Sequence, residues 1–251
     1  MRLFPVSPLA VACLLFLASC APIAVEREVK GQDYEHEQLI QSDSNRVANL
    51  IMRDNMDSLE TLLYKLYRRN PSMWRKRNTE DIDSAVKQVM TAIREETPLS
   101  EPGDVGGINS IEAIRLALTP SFEGDRAGTY IYGLGTMLIE AYNGHYQLAI
   151  IHGLDPQKLA NAAHNVMVAA WLLTDRKNAD GHPLLLSNEI SADGRNLSFE
   201  REHGKIIGRL DTLAAINDEK YRRSFIGYAQ NWVAAPLLQL IPIDSITAAV
   251  Q

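Results

Sequence analysis

Three histidines, His145, His152 and His164, are the residues whose type and spacing come nearest to chemistry in this chain. His145 and His152 stand seven apart, which puts them on one face of a helix. Asp155-Pro156 reads as an N-cap followed by proline at the first helical position. The chain should therefore turn near residue 154, and His164 should lie level with His145 across a helical hairpin. Two imidazoles and a carboxylate on facing helices can hold a divalent metal. Glu140 falls on the opposite face, however, and His164 shares a stripe with Val168, Trp171 and Asp175. The pattern favours core or rim histidines. A hydrolase or metal-dependent enzyme using His145, His164 and the 175–200 loop stands as the alternative.

A second candidate is the run from Glu189 to Glu200, which matches a calcium loop at several positions. Ser191 is polar at position 3, Asp193 stands at 5, Gly194 at 6 and Glu200 at 12. It departs at position 1, where Glu189 replaces Asp, and at position 8, where Asn196 replaces an aliphatic residue. The competing reading is an Asp-Gly turn followed by the opening of a helix. The sequence holds no HExxH, GxSxG, Walker A or CxxC motif. Gly133 and Gly135 form a GxG, but Leu138 occupies the third glycine position, so close helix packing is the expected role. No catalytic, metal or cofactor residue is assigned from sequence.

The basic segment is the clearest surface feature. Between Glu60 and Glu80 there is no acidic residue, and Lys65, Arg68, Arg69, Arg75, Lys76 and Arg77 fall there, interleaved with Tyr64, Tyr67 and Trp74. Cations with aromatic neighbours suit anionic lipid headgroups. Cations are also favoured at a helix C-terminus, and both readings stand at this stage.

The N-terminus is the most informative segment. Arg2 precedes a stretch without charge from Leu3 to Val25, and Leu9 to Leu17 is a run of nine apolar residues. That length suits a signal peptide and falls short of the ~20 a spanning helix needs. Leu17-Ala18-Ser19-Cys20 follows directly. This resembles the lipobox of bacterial lipoproteins, and the body resembles uncharacterised helical lipoproteins of Gram-negative bacteria. The resemblance implies diacylglycerol on the Cys20 thiol, cleavage just before Cys20, and two or three acyl chains holding the protein to a membrane. Ala21 in place of Asp implies sorting to the outer membrane, facing the periplasm. Cys13 would leave with the signal peptide, so no intramolecular disulfide could form.

Composition agrees with a globular body behind that leader. The 251 residues include 25 basic and 31 acidic, for a net charge of −6. This argues against a general nucleic-acid binder, which usually carries a basic face. Two cysteines rule out a disulfide scaffold or a four-cysteine zinc site.

The elements that must position these residues read as helices throughout. Residues 1–19 are the signal peptide, and 20–44 the lipidated cysteine with a polar tether. Residues 45–241 form one all-α domain, a helical bundle, and 242–251 a tail. Three- and four-residue apolar steps predict helices over about 45–69, 79–96, 109–118, 125–152, 156–174, 198–217 and 218–235. The 156–174 helix is apolar nearly all round, which predicts a central position. Residues 175–197 form a long polar loop in which Leu184–Leu186 and Ile190 suggest a short hairpin. The reading that follows is a non-catalytic binding or scaffold lipoprotein. Its acyl chains meet the membrane and its body meets an envelope protein.

Overall fold

Capping residues and proline set most of the helix boundaries. A computed structural model describes residues 42–99, 107–149, 153–191 and 194–238. Among them α1 spans Asp43–Arg69, α2 Pro71–Arg75, α3 Ile82–Arg94, α4 Ser110–Ala117, α5 Arg126–Ala141, α6 Pro156–Asp175 and α7 Ser198–Leu238. The fold is all-α, as the periodicity predicts, with one small two-stranded sheet. The described residues all belong to one compact unit, 37–251. No helix among them is long and apolar enough to cross a membrane. Cys20 and most of the tether lie outside the described residues.

Ser42 starts α1 by accepting from the Asn45 amide, Asp81 starts α3 by accepting from Ser84, and Asp155 starts α6 by accepting from Gln157. Each satisfies an amide that the first turn leaves without a helical partner. The cap of α3 is Asp81, two to three residues later than Asn78 or Thr79. Asn70-Pro71 ends α1 and lets α2 restart at once.

α5 is the central helix. Every residue from Arg126 to Ala141 is buried except Thr136 and Glu140. Its glycines allow that position. A Cβ on Gly133 would meet the Ser110 carbonyl and Ile114 at 2.8 Å, and one on Gly135 would meet Ile93 at 2.7 Å. α4 and α3 thus approach the α5 backbone where a side chain would hold them off. α5 packs mainly on α4, while α6 packs mainly on α7, and α7 runs antiparallel to α1. Leu59, Leu62, Leu63 and Leu66 of α1 are fully buried, each contributing about 1.5–3 kcal/mol.

The structure corrects three expectations. α5 stops at Ala141, not residue 152, because Asn143 and Gly144 take left-handed φ of 59° and 77° and the Gly144 amide turns back to Ile139. α6 is peripheral: one face is buried on the bundle, but Met167, Val168 and Trp171 are exposed, Trp171 at 60%. Residues 198–238 form one continuous helix of 41 residues. No Gly or Pro between Gly208 and Gly227 breaks it, and buried Asn217 bonds back to the Leu213 carbonyl.

Candidate functional site

The sheet forms inside the long polar loop, later than Leu184–Leu186. β1 (Glu189–Ser191) pairs antiparallel with β2 (Gly194–Asn196), Glu189 opposite Asn196 and Ser191 opposite Gly194. Ile190 is 71% exposed, and of the three leucines only Leu185 is fully buried. Asn70 holds the loop with both ends of its amide, donating to the Leu186 carbonyl and accepting from its amide. The pairing sets positions 1 and 8 of the calcium-loop match side by side as strand partners, and Glu189 spends its carboxylate on Arg69 at 2.8 Å. An EF-hand loop turns its position 1 side chain onto the ion, so the hairpin, with Glu189 on Arg69, does not have that form. Residues 192–193 lie outside the described residues.

The histidines do not converge. His164 is exposed on the outer face of α6, and His145 is half-buried in the irregular segment after α5. His152 lies outside the described residues. Glu140 instead accepts from the Ser110 hydroxyl at 2.8 Å. Among the described residues, no three His, Cys, Asp or Glu side chains gather as a metal site. Among the described residues the buried histidine is His203, which sequence reasoning missed. Its Nε2 lies 3.0 Å from the Tyr130 hydroxyl and its Nδ1 2.9 Å from the Phe199 carbonyl. Burial holds its imidazole below the ordinary value.

The basic segment is divided by the fold. Arg77 is buried and pairs with Asp125 at 2.9 Å. The Tyr67 hydroxyl donates to the same carboxylate at 2.6 Å, and the Gly128 amide caps its other oxygen at 3.0 Å. Burial pushes both the Asp125 carboxyl and the Tyr67 hydroxyl above their usual ranges. Lys76 donates to the carbonyls of Glu123 and Gly124, and Lys65 to the Ser198 carbonyl while lying over the Phe199 ring. Arg69 pairs with Glu189. Arg68 and Arg75 remain exposed, lying over Tyr64 and Trp74. The expected six-cation patch therefore presents these two. Arg77 is a core residue, because its charge answers a carboxylate that α5 needs as its cap.

A different concavity has the character of a binding site. α4 and α6 face each other across a cleft of about 680 Å³. From α4 come Ile111, Ile114 and Arg115, followed by Leu118, Thr119 and Pro120. From α6 come Asn165, Val168, Ala169, Leu172 and, at its end, Arg176. Both sets advance in steps of three and four, so each helix offers one apolar stripe. Ile114, Leu118 and Ala169 are nearly closed to water and form the floor, while Ile111 and Val168 stand exposed at the rim. Arg115 and Arg176 are exposed and make no side-chain hydrogen bond or ion pair among the described residues. No carboxylate lines the cleft.

One residue holds the α4 wall in place. The buried Arg126 guanidinium donates to the carbonyls of Ala117 (2.8 Å), Thr119 (2.6 Å) and Pro120 (2.8 Å). These groups lose their helical partners where α4 ends. Asp125, its neighbour, is locked by Arg77 and Tyr67, so the first turn of α5 ties the polar core to the cleft.

Compared with protein-family models, with curated proteins and with solved structures, the chain matches none.

Proposed function

We propose that the chain is a lipid-anchored binding lipoprotein of the cell envelope, held at the periplasmic face of the outer membrane. It acts without catalysis, presenting its helical body to a ligand or envelope partner. Leu17-Ala18-Ser19-Cys20, directly after the apolar run Leu9–Leu17, carries the reading. A cysteine at that depth behind a short apolar run is what acylation and cleavage require. The cleft between α4 and α6 supports the binding half of the proposal, because its size and mostly apolar lining are those of ligand sites.

The test is Cys20→Ala with membrane fractionation and intact mass measurement. The parent protein is expected to sediment with outer membranes and to carry acyl mass on a chain starting at Cys20. The variant should be released or remain an uncleaved precursor. Unchanged fractionation with no acyl mass on the parent overturns the proposal.

A further inference from the structure

We propose that the cleft between α4 and α6 binds a single-chain amphiphile with an anionic headgroup, a carboxylate or a phosphate. The inference deepens the binding role proposed above and needs no anchor. The apolar floor of Ile114, Leu118 and Ala169 is matched by Leu172 on the facing wall, a lining suited to an alkyl chain. Water in contact with such walls is released when a chain replaces it. Arg115 and Arg176 supply two guanidinium forks that have no anion of their own among the described residues. Each fork matches the paired oxygens of a carboxylate or phosphate. No carboxylate stands in the lining, and two full guanidinium charges outweigh the partial negative charge of the helix ends beside them. Both helices end beside the arginines, at Ala117 and Asp175, so the headgroup belongs at that end and the chain runs back toward Ile111 and Asn165. The volume of about 680 Å³ falls in the small-ligand range of roughly 300–1,000 Å³. A protein partner would instead cover about 800 Å² of surface, and α4, only eight residues long, is a short seat for one.

Photoactivatable probes applied to isolated membranes carrying the full chain test this directly. Three share one alkyl chain with a mid-chain diazirine: palmitate, the lysophosphatidate and the neutral monoacylglycerol. Cross-links are mapped by mass spectrometry. Palmitate, lysophosphatidate or both should label residues 111–118 and 165–172, and the stronger of the two identifies the headgroup. The neutral probe should label about tenfold less, as should either acid on the Arg115→Gln/Arg176→Gln variant, since a lost charged contact costs a factor of about ten or more. Both arginines are exposed and have no side-chain partner among the described residues, so the variant should keep its helicity by circular dichroism. Equal labelling by the neutral probe, no effect of the double substitution, or cross-links outside the cleft overturns the proposal. Absence of labelling because another protein's helix fills the cleft overturns it equally. A Cys20→Ala chain, probed in unfractionated extract because it need not stay with the membrane, should retain the labelling, so failure here is separable from failure of the anchor.

Discussion

Asp125 is a buried carboxylate that three donors must satisfy, and Arg77 supplies the compensating charge. Removing one member of a buried ion pair leaves the other charge without compensation, at about 3–5 kcal/mol. Arg77→Met should therefore lower the free energy of unfolding by that amount in urea titrations. Arg75→Gln, on an exposed side chain two positions earlier in the chain, should stay within about 0.5 kcal/mol. Equal effects would mean that Arg77 is a surface cation after all. His203 gives a pH signature. Burial depresses its folded pKa, while the Phe199 carbonyl, Glu200 and Glu202 pull the other way and Lys65 adds to the depression. A depressed folded value gives stability that is complete above the unfolded value of about 6.5. That stability is lost as pH falls through this value toward the folded one. Thermal denaturation should show Tm falling between about pH 7.5 and pH 5.5, and His203→Gln should flatten the fall. A parent protein whose slope matches the variant's would place the acid sensitivity elsewhere.

At the scale of elements, the glycines of α5 make a sharp prediction. Gly133 sits where the start of α4 crosses, with the Ser110 carbonyl and Ile114 both 2.8 Å from a would-be Cβ. Backbone cannot yield as a flexible side chain can. Gly133→Ala should therefore destabilise by about 1–3 kcal/mol despite the better helix propensity of alanine. A stabilised variant in calorimetry would show that the two helices can part without loss. The helices themselves were legible because their signals are local: Asp155-Pro156, Asn70-Pro71 and the apolar steps of α1 and α3. The Asn143-Gly144 stop was equally local, but it was outweighed by apolar residues that continue past it. The split at 217–218 had no Gly or Pro there to break a helix. The peripheral place of α6 was not legible, since an all-round apolar pattern says how much can be buried and not which face meets water. The cleft was hidden for a related reason. Arg115 and Arg176 are ordinary helix-end cations until α4 and α6, some fifty residues apart in sequence, are set face to face.

For the molecule as a whole, the question is what keeps it at a membrane under the lipid-anchored reading proposed above. Arg68 and Arg75 are the exposed cations left from the basic segment once Lys65, Arg69, Lys76 and Arg77 are engaged within the fold. Each can contribute about 1 kcal/mol near an anionic surface, and the net charge of −6 opposes them. That attraction is also short-ranged, with a Debye length of about 8 Å at physiological salt and 3 Å at 1 M. Two or more acyl chains at Cys20 hold independently of salt and far more strongly. Membranes washed in ~1 M salt, where charge attraction is screened, should therefore keep the protein. Arg68→Gln/Arg75→Gln should fractionate as the parent does, and Cys20→Ala should be released or remain an uncleaved precursor at low and high salt alike. Release of the parent by salt, or release of the double arginine variant, would instead make the charged surface the anchor. Neutralising Arg75, Lys76 and Arg77 together would not decide between these, because Arg77 lies in the core and its loss would loosen the bundle before any membrane contact was tested.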